Sequence, residues 1–275
     1  MEARLQHRVQ RYGWDRAASR YDGLWATQLA GVQAELLSRA ALAPGERVLD
    51  LACGTGLVTQ AAARAVAPMG QVLGTDLSGE MVAVAQQRAR AAGCLNVDFA
   101  RLGAERLAVA DGSFDVVLCS LGLMYVPEPE QVLSEARRVL RPGGRLVLSV
   151  WGERARCGWA DLFGIVDDEV SSEVCPLFFR LGQPGLLARL CKENGLLAAP
   201  EQRWRTTLAY ADGEQACDAA LVGGPVALAW SRFDLATQQR VRARYLGVIA
   251  PWQGPSGYAV PAEFVVLAAH APGSA

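Results

Sequence analysis

Two spacings of apolar residues alternate along the chain. Short runs rich in Val and Leu, at residues 47–51 (RVLDL), 71–76 (QVLGTD), 96–100, 114–120 (FDVVLCS) and 145–150 (RLVLSV), have the length and composition of strands. Between them the spacing becomes helical. The alanine-rich stretch 57–66 ends at Pro68 and Gly70, and Met81, Val82, Ala85 and Ala89 form a stripe that Ser78 can cap and Gly93 can end. A third stripe, Val132, Leu133, Ala136, Val139 and Leu140, stops at Pro142-Gly143-Gly144. Strands that alternate with helices, and are apolar on both faces, predict a parallel sheet covered on both sides.

After Trp151 the rhythm changes. Residues 158–174 and 183–194 read as helices, 204–210 and 263–269 (EFVVLAA) as strands, and 213–222 and 236–249 as helical stretches of an insert between those strands. The Gly- and Pro-rich stretch 251–261 reads as a loop. Without an internal repeat or a low-complexity linker, one domain over 1–275 is expected: a helical cover at 1–40, a core at 41–152, and the remaining sheet with its insert at 153–275.

Composition narrows the partners. Of 275 residues 51% are hydrophobic and 20% charged, which provides apolar area for a packed core. A formal net charge of -1 offers no basic footprint for nucleic acid, and arginines are dispersed. Residues 1–10 carry Glu2, Arg4, His7 and Arg8 with no apolar h-region, and no apolar run approaches the ~18–20 residues of a membrane span, so a cytoplasmic chain is expected. Seven scattered cysteines, Cys53, Cys94, Cys119, Cys157, Cys175, Cys191 and Cys217, contain no C-x-x-C pair and signal neither a disulfide framework nor a metal site. Monomer and homodimer are both open.

Candidate chemistry gathers where the strands meet their following turns. In an open parallel sheet ligands bind beyond the carboxyl ends of the strands, where the strand order reverses. The run DLACGTG, Asp50 to Gly56, lies at such an end, and its glycines let backbone N–H groups approach a ligand. Alone, such a loop could equally be a tight turn. Asp76, twenty residues past Gly56 at the end of the second run, can accept hydrogen bonds from two ribose hydroxyls, or can cap the next turn. A dinucleotide fingerprint needs a third glycine three residues after the second, where this chain has Thr59. Asp50 is poorly placed beside a pyrophosphate but suits a loop near a cation. A sulfonium donor without phosphate is therefore favoured.

Five elements stand in order: VLDLACGTG, GTDLS, Gly103-Ala104-Glu105-Arg106-Leu107, DGSFDVVLCSLGLMYV and LRPGGRLVLSVWG. In these, residues 48–151 resemble the class I S-adenosylmethionine-dependent methyltransferases, in the branch that includes the ubiquinone and menaquinone C-methyltransferases. The resemblance implies a Rossmann-like α/β fold: a seven-stranded, mostly parallel sheet with an antiparallel last strand and a helical cover over the pocket. It also implies that Gly54, Thr55 and Gly56 approach the methionine moiety, Asp76 holds the ribose, Leu77 packs on adenine, and Ser120 lies beside the donor. Tyr21, Asp50, Ala52, Met81, Gly103, Ala104 and Glu105 complete the expected donor site. One departure stands out: such enzymes usually have Asp-Ala at the end of the third strand, where this chain has Gly103-Ala104.

The expected reaction is in-line methyl transfer to a small, apolar or aromatic acceptor, achieved mainly by positioning. Tyr12, Trp14, Tyr21 and Trp25 spread over an expected pair of N-terminal helices that, by the same resemblance, covers the pocket; a plain aromatic core stripe is the alternative. Tyr12, Trp25, Tyr125 and Trp151 are the candidate acceptor contacts, and His7 and Tyr125 the candidates for a catalytic group; His270, at the end of the last strand, reads as an edge residue. No metal is expected, and arsenite chemistry is disfavoured because Cys53 and Cys119 read as strand-end core. Two alternatives remain: a protein that binds S-adenosylmethionine without transferring its methyl, and a nicotinamide-dependent reductase.

Overall fold

In the computed structural model, which describes residues 3–170 and 178–273, the first apolar run forms β1 (Arg47–Leu51), buried at every position but Arg47. Burial on both faces puts β1 in the middle of the sheet. A long helix, α1 (Ala3–Ala40), precedes it. The alternation then proceeds through α2 (Leu57–Val66), β2 (Gln71–Asp76), α3 (Gly79–Ala91), β3 (Val97–Arg101), β4 (Phe114–Ser120), α4 (Pro129–Val139) and β5 (Leu140–Trp151). The remainder comprises α5 (Leu162–Asp167), α6 (Leu186–Glu193), β6 (Leu197–Ala198), β7 (Gln202–Tyr210), α7 (Gly213–Leu221), α8 (Ala227–Trp230), α9 (Leu235–Ile249), β8 (Gln253–Gly254) and β9 (Gly257–His270).

The sheet runs β3-β2-β1-β4-β5-β9, parallel up to β5 and antiparallel at β9. On its other edge β9 pairs with β6 and then with β7. Strand order reverses between β1 and β4, which pair with Asp50 opposite Leu118. The carboxyl ends of these two strands therefore bound the crevice in which such sheets bind ligands.

Several expectations need correction. Among the described residues the sheet has nine strands where seven were expected. The two extra, β6 and β8, are two-residue pairings along β9, too short to leave a period in the sequence. β9 itself begins at Gly257, six residues before the expected start. Stretch 251–261 holds a turn at Ala250–Trp252 and a hairpin through Gly254 and Gly257, and its second half is then paired with β7. Gly and Pro report the turn, whereas the strand depends on a distant partner.

The N-terminal cover is one helix of 38 residues, not two. Trp25, Leu29, Val32, Leu36 and Ala40 make a buried stripe at helical spacing. Gly31 does not break this helix; a Cβ there would lie 1.8 Å from the Trp204 ring, so glycine is what allows β7 to pack against α1. The helix expected at 158–174 is reduced to α5, because the Gly158 N–H donates to Pro261 O at 2.9 Å and is committed to the sheet edge. The end of that expected helix, 171–174, and Cys175 lie outside the described residues.

Candidate functional site

The loop after β1 turns sharply because three of its residues take left-handed backbone: Ala52 (φ 52), Gly54 (φ 55) and Gly56 (φ 81). At Gly54 a Cβ would meet nothing within 4 Å, which leaves its backbone open to the crevice; at Gly56 it would lie 3.1 Å from Ala85 and 3.3 Å from the Phe99 ring. The first glycine thus leaves room for a ligand to approach, and the second lets the turn pack closely against α3 and β3. The loop after β4 closes against this turn, since a Cβ on Gly122 would fall 2.4 Å from that of Ala52.

Asp76 ends β2 and is 8% exposed. Its carboxylate accepts from Gly54 N at 2.9 Å and from Ser78 N at 2.8 Å, so it tethers the glycine turn and also caps the following turn. Each carboxylate oxygen can accept more than one hydrogen bond, so a diol can share the group. Burial raises its carboxyl to about 6, against the lowering effect of the Ser78 and Gly54 N–H groups.

A cleft opens between these loops. Its floor is Ala52, Gly54, Asp76 and Leu77, with Met81 beside them; Leu102, Gly103, Ala104 and Glu105 form one wall and Ser120, Leu121 and Gly122 another. Helix α1 covers it with His7, Gln10, Trp14 and Tyr21. This cover is strapped down along its length: His7 Nε2 pairs with Glu105, Asp15 accepts from Ser78 Oγ at 2.6 Å, and Asp22 is bonded by Thr55 and Arg88. Burial, then the charges of Asp22 and Asp76, push the Tyr21 hydroxyl well above its ordinary range, which keeps it a neutral donor.

A second cavity adjoins the first. Trp14, Tyr21, Leu121 and Tyr125 line both. Beyond them the walls are aromatic: Trp25, Trp151, Trp159, Phe178, Tyr210 and Tyr245. Trp151 packs on Trp159 with ring centroids 4.8 Å apart, and Trp25 Nε1 donates to Ala219 O at 3.2 Å. No Asp, Glu, Lys, Arg or His lines this cavity among the described residues.

The expected site residues divide by position. Tyr21, Ala52, Gly54, Asp76, Leu77, Met81, Gly103, Ala104, Glu105 and Ser120 line the first cleft. Asp50, Thr55 and Gly56 lie behind it; Asp50 and Thr55 are each 1% exposed. Trp25, Tyr125 and Trp151 line the aromatic cavity, whereas Tyr12 is 44% exposed with the Arg11 guanidinium over its ring. Helical geometry explains the split: residues 14, 21 and 25 share a face of α1, and residue 12 lies about 200° from 14. Gln10, Leu102, Gly122 and Val126 in the cleft, and Phe178 and Leu29 in the cavity, carried no local signal. His270 is exposed at the end of β9. Among the described residues no cluster of His, Cys, Asp and Glu could hold a metal, and burial pushes the Cys119 thiol up to about 12 and Cys53 well above its ordinary range.

A family profile described as a methyltransferase domain matches residues 49–148, the span from β1 to β5. The chain is 36% identical over 120 residues to a demethylmenaquinone methyltransferase of Bacillus cytotoxicus, an alignment covering 44% of this chain and 51% of that protein. It is 43% identical over 111 residues to an arsenite methyltransferase of Halobacterium salinarum, covering 40% of this chain and 28% of that one. The chain thus spans about half or less of the length of these curated relatives. Among solved structures, a provisionally named methyltransferase of Bacillus halodurans superimposes with a TM-score of 0.63 at 22% identity, covering 88% of this chain and 99% of that one. Fold and motif order agree with that profile: residues 49–148 match a methyltransferase domain, set in a sheet of the Rossmann-like methyltransferase fold.

Proposed function

We propose that the cleft takes S-adenosylmethionine and that the aromatic cavity takes a small, apolar or aromatic methyl acceptor. The observation that carries this reading is the adjacency of the two: a cleft that holds the Asp76 carboxylate shares Trp14, Tyr21, Leu121 and Tyr125 with a cavity walled by aromatic rings. The residues fit the donor. Asp76 offers a buried carboxylate to the ribose, Leu77 and Ala104 bound the space for adenine, the Gly54 backbone accommodates the methionine end, and the Tyr21 hydroxyl can donate to its carboxylate. When bound, the donor supplies an electrophilic methyl on a sulfonium.

In the transfer, an electron pair of the acceptor would form a bond to the methyl carbon as the carbon–sulfur bond breaks and its pair returns to sulfur. Any proton lost by the acceptor passes to water or to a nearby base. Tyr125 lies at the meeting of the two spaces, and His7, paired with Glu105, lies over the donor end. Most of the rate enhancement is assigned to alignment, worth up to about 7–11 kcal/mol in well-positioned systems. Charged acceptors are disfavoured, because burying an unpaired charge among aromatic walls costs several kcal/mol. We place this activity in the cytoplasm; among the described residues no helix is long and apolar enough to cross a membrane.

Calorimetry with S-adenosylhomocysteine and NADH tests the donor: binding of NADH alone would sink the reading. Incubation with labelled donor and a panel of phenols, quinones and amines tests transfer. Donor binding with persistent absence of S-adenosylhomocysteine release would favour a protein that uses the donor without spending its methyl.

A further inference from the structure

We infer that Trp14, Tyr21 and Tyr125 form an aromatic aperture that binds the donor's sulfonium charge, so that this chain holds the methylated donor more tightly than its demethylated product. The inference rests on the reading of the cleft as the donor site. The cleft and the aromatic cavity share only four lining residues among those described, these three and Leu121. A methyl group passing from one space to the other must cross at this junction, since in-line displacement sets sulfur, methyl carbon and nucleophile on one line.

The three rings crowd the junction edge to face. Trp14 stands 5.1 Å from Tyr125 at 80° and 5.8 Å from Tyr21 at 79°. None of the four carries a charge, the Tyr21 hydroxyl being held neutral by burial. Attraction for a cation at this point falls to the electron-rich ring faces, which act most strongly when the cation is out of water. Once the methyl leaves, the bonding pair returns to sulfur and the thioether is neutral. The ring faces then lose their charge partner, which favours product release. Two of the rings come from α1, so the helix that covers the cleft also supplies its charge selectivity.

The test compares affinities of S-adenosylmethionine and S-adenosylhomocysteine by calorimetry in wild type, Trp14→Leu, Trp14→Phe and Tyr125→Leu. Trp14→Leu and Tyr125→Leu are expected to weaken S-adenosylmethionine by about tenfold while S-adenosylhomocysteine changes less than about twofold, and Trp14→Phe is expected to retain most of the preference. Equal weakening of both ligands, or no change in either, would overturn the inference. If wild type binds neither ligand, it is the donor-site reading itself that has failed. Should Trp14→Leu not fold, the Tyr125→Leu and Trp14→Phe pair decides on the same ratio.

Discussion

Thr59 Oγ1 donates a 2.6 Å hydrogen bond to Asp50 Oδ2, beneath the glycine turn. Thr59 occupies the position at which a dinucleotide-binding loop needs a glycine, and here its side chain ties the first turn of α2 to the end of β1. The pair is buried, and Asp50 Oδ1 has no hydrogen-bond partner among the described residues. Asp50 therefore shapes the loop from behind and does not face the cleft.

Burial raises the Asp50 carboxyl from its ordinary 3.8 to about 7, with Thr59 acting in the opposite sense. A carboxyl that binds its proton more tightly when folded contributes stability that is complete below about pH 4 and lost as pH rises through about 7. Asp50→Asn removes this loss. The melting temperature of the variant relative to wild type should rise between pH 5 and pH 8; a constant difference would show that Asp50 titrates normally.

Asp76 titrates on the cleft side. If, as proposed, its carboxylate form accepts the ribose hydroxyls, donor binding favours ionisation, and affinity should fall as pH drops below about 6. Asp76→Ala should weaken S-adenosylhomocysteine by roughly 1–3 kcal/mol at pH 8. Calorimetry across pH 5–8 checks both, and an unchanged affinity in the variant would remove Asp76 from the site.

Gly103 stands where similar enzymes carry an aspartate. A Cβ here would meet only Glu105 Oε2, at 3.6 Å, so a side chain has room. Gly103→Asp should improve donor affinity by about threefold to tenfold through one hydrogen bond to the adenine amino group. Weaker binding would mean that repulsion from Glu105 outweighs the new contact.

Gly31 is a stability position far from the chemistry. Gly31→Leu drives a side chain into the space of the Trp204 ring and should cost about 1–3 kcal/mol or more in denaturant unfolding. Gly23, where a Cβ meets nothing within 4 Å, is the control: Gly23→Ala should be neutral or stabilising by about 1 kcal/mol.

The donor half of the molecule was legible because its information is local. DLACGTG needs left-handed backbone at fixed offsets, Asp76 must close β2, and each βα unit brings its loop to the same edge of the sheet. Residues 47–51, 71–76 and 114–120 form strands at the expected bounds, and Ser78 caps α3 as expected, accepting from Met81 N. The same locality failed for Asp50 and Thr55, because position in a motif does not say which side of a turn a side chain takes.

The aromatic cavity was decided in three dimensions. Trp14, Tyr125, Trp151, Trp159, Phe178, Tyr210 and Tyr245 meet in one cavity from elements spread over most of the chain, and no short-range pattern relates them. That α1 runs on past Gly31 goes with the Trp204 ring of β7 seated against that glycine, a contact between residues far apart in the chain. The sequence alone determined the Rossmann-like fold class and the cleft at the strand ends, since backbone turns and strand ends are written in adjacent residues. Only tertiary packing decided which rings wall the second cavity, since aromatic burial has no preferred direction until the surrounding elements supply one.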